Sequence, residues 1–165
     1  MLLPLKVSVA LPTLITLPVP LTKVWVKLSP NIGDITVVGR AAAAEGADAL
    51  CAINTLRGMA VDLVARRPQL ASGSGGLSGP AIKPVALRMV RELVQAVQIP
   101  VIGIGGIRSG EDALEFLCCG ARAVQVGTAS FYDPRAPVRI ADEMAAWCRA
   151  HDVGAVADVI GTLRP

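Results

Sequence analysis

The 165-residue chain is 53% hydrophobic but only 3% aromatic and carries a net charge of +3. Its core must therefore be aliphatic, which favours buried parallel strands covered by Ala- and Leu-rich helices. The positive residues form no run and few aromatics are available to stack on bases, so nucleic acid is excluded as the expected partner.

The first 22 residues, "MLLPLKVSVALPTLITLPVPLT", are apolar but contain Pro4, Pro12, Pro18 and Pro20. These prolines break a long helix, and the stretch between Lys6 and Lys23 is shorter than the roughly 18–20 apolar residues a bilayer span needs. The segment has no basic start and no small-residue cleavage pattern, so neither a membrane helix nor a signal peptide is expected. It is left unassigned as a unit separate from residues 23–165.

From Val24 the pattern is regular. "VWVKLSPN" reads as a strand ending in a turn at Ser29-Pro30, and "DITVVGRAAAAEG" as a helix capped by Asp34 and stopped by Gly46. "ADALCAINT" is a second strand. The stretch from Leu56 to Gly79 reads as a long irregular loop of the kind that carries function. "PAIKPVALRMVRELVQAVQ" has a proline in its first turn and apolar residues at helical spacing. "IPVIGIGG" is the third strand. Ser109, with Asp112 three residues on, has the form of a capping box opening "EDALEFLCCG". "AVQVGT" is the fourth strand and "PVRIADEMAAWCRAHDVG" the closing helix. Strands alternate with helices, so the fold class is α/β with parallel βα units. Four such units make half of a (β/α)8 barrel.

Two of these strands end in glycine: Gly105-Gly106 after the third and Gly127-Thr128 after the fourth. Barrel loops at this place commonly bind phosphate through backbone N–H groups, and glycine removes the Cβ that would obstruct the anion. Tight strand-to-helix turns are the alternative. Lys27 lies in a strand type that is normally buried, which points to a cation at the barrel mouth able to stabilise a developing anion. A lysine snorkelling at the rim is the other reading. Asn54 and Thr55 end the second strand with groups suited to a ring of alternating N–H and C=O, although both are also ordinary turn residues.

The four cysteines, Cys51, Cys118, Cys119 and Cys148, lack CxxC spacing and read as reduced core thiols in a cytoplasmic protein, with no metal site. His151 reads as a solvent-facing residue at a helix end. Arg66 and Arg67 read as solvated, and Met59 and Met89 as packing.

Taken together, "VKLSPN", "INT", "GGLSGPAIKPVALRMV", "IGIGGI…EDALEFL" and "VQVGT" resemble the C-terminal half of class 1 dihydroorotate dehydrogenases, of the type that works with a separate electron-transfer subunit. The resemblance runs from about Val24 to about Met144; residues 1–22 do not share it. It implies an FMN-binding barrel that oxidises dihydroorotate to orotate in pyrimidine biosynthesis. It also implies that Lys27, Ile53, Gly79, Gly105, Gly106, Gly127 and Thr128 contact FMN, and that Asn54 and Thr55 contact the pyrimidine. The implied partners are an FAD and iron–sulfur subunit and further copies of the chain. The family's general base, a cysteine on a loop of the N-terminal half, has no counterpart among these residues. Two alternatives remain: a flavin domain like that of dihydropyrimidine dehydrogenase, and a non-catalytic half-barrel that binds FMN or phosphate.

Overall fold

The computed structural model describes residues 6–8, 14–16 and 23–164. In the N-terminal segment, β1 (Lys6–Ser8) pairs antiparallel with β2 (Leu14–Thr16). The rest of that segment lies outside the described residues.

β3 (Trp25–Leu28) leads into α1 (Ile35–Ala44), where Asp34 Oδ1 accepts from Thr36 N at 2.9 Å and caps the helix as its sequence position suggests. β4 (Ala49–Ala52) follows, and its Ala52–Ile53 peptide is cis. The stretch read as irregular contains four short strands. β5 (Leu56–Gly58) pairs antiparallel with β8 (Gly75–Leu77), and between them β6 (Val61–Asp62) pairs with β7 (Arg67–Pro68).

A short 3-10 helix over Pro80–Ile82 runs into α2 (Lys83–Ala96). β9 (Val101–Ile104), α3 (Gly110–Cys118) and β10 (Ala123–Gln125) complete the repeating part. The short α4 (Ala129–Tyr132), α5 (Ala136–Ala150) and a second 3-10 turn over Val156–Val159 close the chain.

β3, β4, β9 and β10 form one parallel sheet whose spatial order follows the chain order. Successive strands are joined through α1, α2 and α3. Alternation along each strand splits the sheet into two faces. Leu28, Leu50, Ala52 and Val101 pack with Ile35, Leu93 and Phe116 of the helices in the main core. Ala49, Cys51 and Ile102 form a separate small cluster on the other face.

That second face explains why Lys27 is exposed where a strand lysine was expected to be buried. It stands on the face away from the helices, opposite Cys51 in the register, and β3 is an edge strand. Met89 is core, but Met59 is 65% exposed, because the β5–β8 excursion projects from the sheet instead of packing under it. Arg66 and Arg67 are exposed on the same excursion.

Candidate functional site

The C-terminal ends of the parallel strands are tied together beyond the ladder itself. Ile53 N donates to Ile104 O at 2.8 Å and Asn54 N to Leu28 O at 2.9 Å, so the residues after β4 are held from both sides. Asn54 Oδ1 accepts from Thr55 N at 2.8 Å. Its Nδ2 has no partner among the described residues, so Asn54 offers the space above the sheet two N–H donors, while its oxygen keeps one lone pair beyond the bond from Thr55 N.

Asn31, which the sequence reading passes over, fixes Thr55. Its Nδ2 donates to Thr55 O at 3.0 Å and its Oδ1 accepts from Arg57 N at 2.8 Å. The only sequence signal for this is an Asn directly after Ser-Pro at a strand end.

Lys27 stands beside Cys51 in the register. Burial pushes the Cys51 thiol up, and the positive Lys27 offsets only part of that rise, so Cys51 stays protonated at neutral pH.

The two glycine endings have different physical causes. Gly106 has φ +75, and a Cβ there would lie 2.8 Å from Gly79 O and 3.0 Å from Lys83 N. A Cβ on Gly105 would lie 2.8 Å from the Ala86 Cβ of α2. Both positions are therefore glycine because of close packing and a positive φ, which is +139 at Gly105. Gly127 is the opposite case: a Cβ there meets nothing within 4 Å. Among the described residues the N–H groups of Gly106, Gly127 and Thr128 have no acceptor. Unpaired amides of this kind normally find water or a ligand.

The Gly106 loop is held by a charge cluster. Asp112 is 7% exposed, and its carboxylate accepts from Lys83 Nζ at 2.5 Å, Arg108 N at 2.9 Å and Ser109 N at 3.2 Å. Ser109 Oγ returns a bond from Asp112 N, which completes the capping box the sequence predicts. Burial pushes the Asp112 carboxyl up, but Lys83 and the two backbone donors outweigh it and hold the carboxyl below its ordinary value.

Lys27, Ile53, Asn54, Thr55, Gly79, Gly105, Gly106, Gly127 and Thr128 line one cavity of about 220 Å³. All nine residues singled out in the sequence thus share one space. Among its lining residues the only charged ones are Lys27 and Arg108, and no carboxylate, imidazole or thiol is present. The charged lining among the described residues is thus positive only, and it includes no general base of those types.

The family profile for dihydroorotate dehydrogenase matches residues 11–147. The chain belongs to the dihydroorotate dehydrogenase family. The matched region includes residues 11–22, which the sequence reading places outside the resemblance, as well as the parallel sheet. The chain is 61% identical over 138 residues to "Dihydroorotate dehydrogenase B (NAD(+)), catalytic subunit" of Geobacter sp., which covers 84% of this chain and 45% of that protein. The protein of the same name from Pelobacter propionicus is 60% identical over the same shares. A "Putative dihydroorotate dehydrogenase A (fumarate)" of Solibacter usitatus is 54% identical over 139 residues, covering 84% of this chain and 46% of the relative. The chain thus spans a little under half the length of these relatives.

None of the four cysteines is among the residues that line the cavity. Cys51, Cys119 and Cys148 are buried and Cys118 is half-buried. His151 is exposed at the end of α5, stacked on Trp147 with ring centroids 4.1 Å apart.

Proposed function

We propose that the chain forms the flavin-binding half of an FMN-dependent dihydroorotate dehydrogenase, built as the C-terminal four βα units of a (β/α)8 barrel. The observation that carries this reading is a cavity at the strand ends that combines open backbone amides with positive charge and has no negative lining. Four parallel strands in sequential order, with helices against one face, support the partial barrel.

An FMN phosphate fits the residues present. The free N–H groups of Gly106, Gly127 and Thr128 supply donors, and the space a Gly127 Cβ would take is open. Bound FMN supplies the hydride acceptor. Lys27, exposed on β3, would supply positive charge to a bound flavin. Ile53 and Gly79 provide buried, uncharged wall. Asn54, with its oxygen held by Thr55 N, donates through Nδ2 to a substrate oxygen, and Thr55 is held in place by Asn31.

Among the described residues no carboxylate, imidazole or thiol lines the cavity, which supports a proton acceptor supplied by the part of the relatives' length that this chain does not span. Losing such a base costs about 10²–10⁴ in rate, so turnover requires that part. The B-type relatives are named catalytic subunits, which supports a separate partner subunit; that the partner carries FAD and an iron–sulfur cluster, and that the catalytic unit is homo-oligomeric, are parts of the proposal that rest on the family resemblance alone. No helix among the described residues is long and apolar enough to cross a membrane, and a cytoplasmic location completes the proposal.

The test is to load the chain with FMN and titrate it with orotate. A saturable shift of the flavin absorption band that is lost in Asn54→Ala supports the reading. A response to uracil and none to orotate would instead indicate a dihydropyrimidine dehydrogenase-like site. A chain that binds FMN and responds to neither would be a flavin-binding half-barrel only.

A further inference from the structure

We propose that Arg108 is the counter-charge for a phosphate monoester in this cavity, and that it sets the preference for FMN over unphosphorylated riboflavin. The inference rests on the flavin-binding reading above and adds the residue that reads the phosphate.

Arg108 follows the Gly105-Gly106-Ile107 turn and lines the cavity. Its backbone is clamped at both ends: its N–H donates to Asp112 Oδ2 at 2.9 Å, and its carbonyl accepts from Arg139 Nη1 and Nη2, each at 3.3 Å. Its side chain is 63% exposed and donates no hydrogen bond among the described residues. The nearest carboxylate oxygen, Asp112 Oδ2, lies 3.9 Å from Nε and already accepts from two backbone N–H groups. A fixed backbone thus presents a guanidinium whose donors are free.

The neighbouring cations differ in this respect. Lys83 is committed to Asp112 and Glu115, and Arg139 to Asp133 and Glu143. Their charges are paired at 2.5–3.1 Å, whereas Arg108 has only the long 3.9 Å approach to Asp112 and no hydrogen bond from its guanidinium among the described residues. The amides of Gly106, Gly127 and Thr128 can orient a phosphate, but they carry no net charge to balance it. A dianion next to a low-dielectric wall needs a cation, and the planar guanidinium fork matches two phosphate oxygens at once. Lys27, the other lining cation, is on β3, the edge strand farthest from β10 in the sheet order, and Arg108 follows the turn that carries Gly106.

The experiment titrates the full chain, Arg108→Gln and Arg108→Lys with FMN and with riboflavin, by quenching of flavin fluorescence at low and high salt. Arg108→Gln is expected to weaken FMN binding by about tenfold to a hundredfold, the loss of one charge-assisted pair, and to leave riboflavin binding unchanged. Most of the salt dependence of FMN binding should vanish with it. Arg108→Lys keeps the charge and should recover part of the affinity. Equal FMN affinity in Arg108→Gln and the unaltered chain, or an equal loss for both flavins, overturns the inference and leaves the flavin reading standing. If the unaltered chain binds neither flavin, the flavin reading fails and the inference falls with it.

Discussion

Replacing Gly106 and Gly127 separately by alanine distinguishes the two reasons for which a strand here ends in glycine. At Gly106, φ +75 alone costs an L-residue about 1–2 kcal/mol. The added Cβ would also press on Gly79 O at 2.8 Å and on Lys83 N at 3.0 Å, both backbone atoms that cannot rotate away. Forced overpacking of that kind typically costs about 1–3 kcal/mol. Gly106→Ala should therefore lose about 2–5 kcal/mol of stability, the sum of those two costs. At Gly127 nothing lies within 4 Å. Alanine there should be neutral or raise stability by up to about 1 kcal/mol, because it restricts the unfolded chain. Its methyl would occupy the space proposed for phosphate, so FMN affinity should fall while stability holds. Urea unfolding followed by circular dichroism gives the first quantity and flavin fluorescence titration the second. Equal destabilisation by the two substitutions, or unchanged FMN binding in Gly127→Ala, would refute this division.

Three further outcomes follow from the same geometry. Asp112→Asn should destabilise the chain by about 1–3 kcal/mol at neutral pH, less than a fully buried pair, because Lys83 keeps Glu115. The Asp112 carboxyl lies below its ordinary value in the folded chain, so its contribution is complete above the unfolded pKa of about 4 and is lost as pH falls through the lower folded value. The acid limb of the stability curve should be flatter in Asp112→Asn, and an unchanged limb would contradict the role given to the carboxylate. Gly103→Ala sets a Cβ 2.5 Å from Phe116 Cδ1 in the core, an overpacking of about 1–3 kcal/mol. Combined with Phe116→Leu it should cost less than the two changes summed, as a thermal-melt cycle would read. Alkylation of the folded chain followed by peptide mass mapping should label Cys118 before Cys51, Cys119 and Cys148, which are buried.

The parallel sheet and its covering helices were legible because each is a periodic segment with its own punctuation. Asp34 and Ser109 announce two helix starts, and the proline opening "PAIKPVALRMV" announces a third. β5 to β8 were not legible, since strands of two or three residues are too short to show a period-2 pattern and are interrupted by Gly, Arg and Pro. Gly106 and Gly127 look alike in sequence because the φ and the approaching backbone that distinguish them come from α2 and the Gly79 turn, distant in the chain. Arg108 escaped notice for a similar reason. A lone arginine after a turn is ordinary until Asp112 is seen to take its short bonds from Lys83 and two backbone N–H groups, which leaves Arg108 only a 3.9 Å approach to it.

We propose that this chain carries a flavin-phosphate site of its own. The most direct test is the visible spectrum of the purified chain after addition of excess FMN and gel filtration, with the retained flavin released and quantified. Retention of close to one FMN per chain is the expected result. A colourless chain that retains no flavin would contradict the claim.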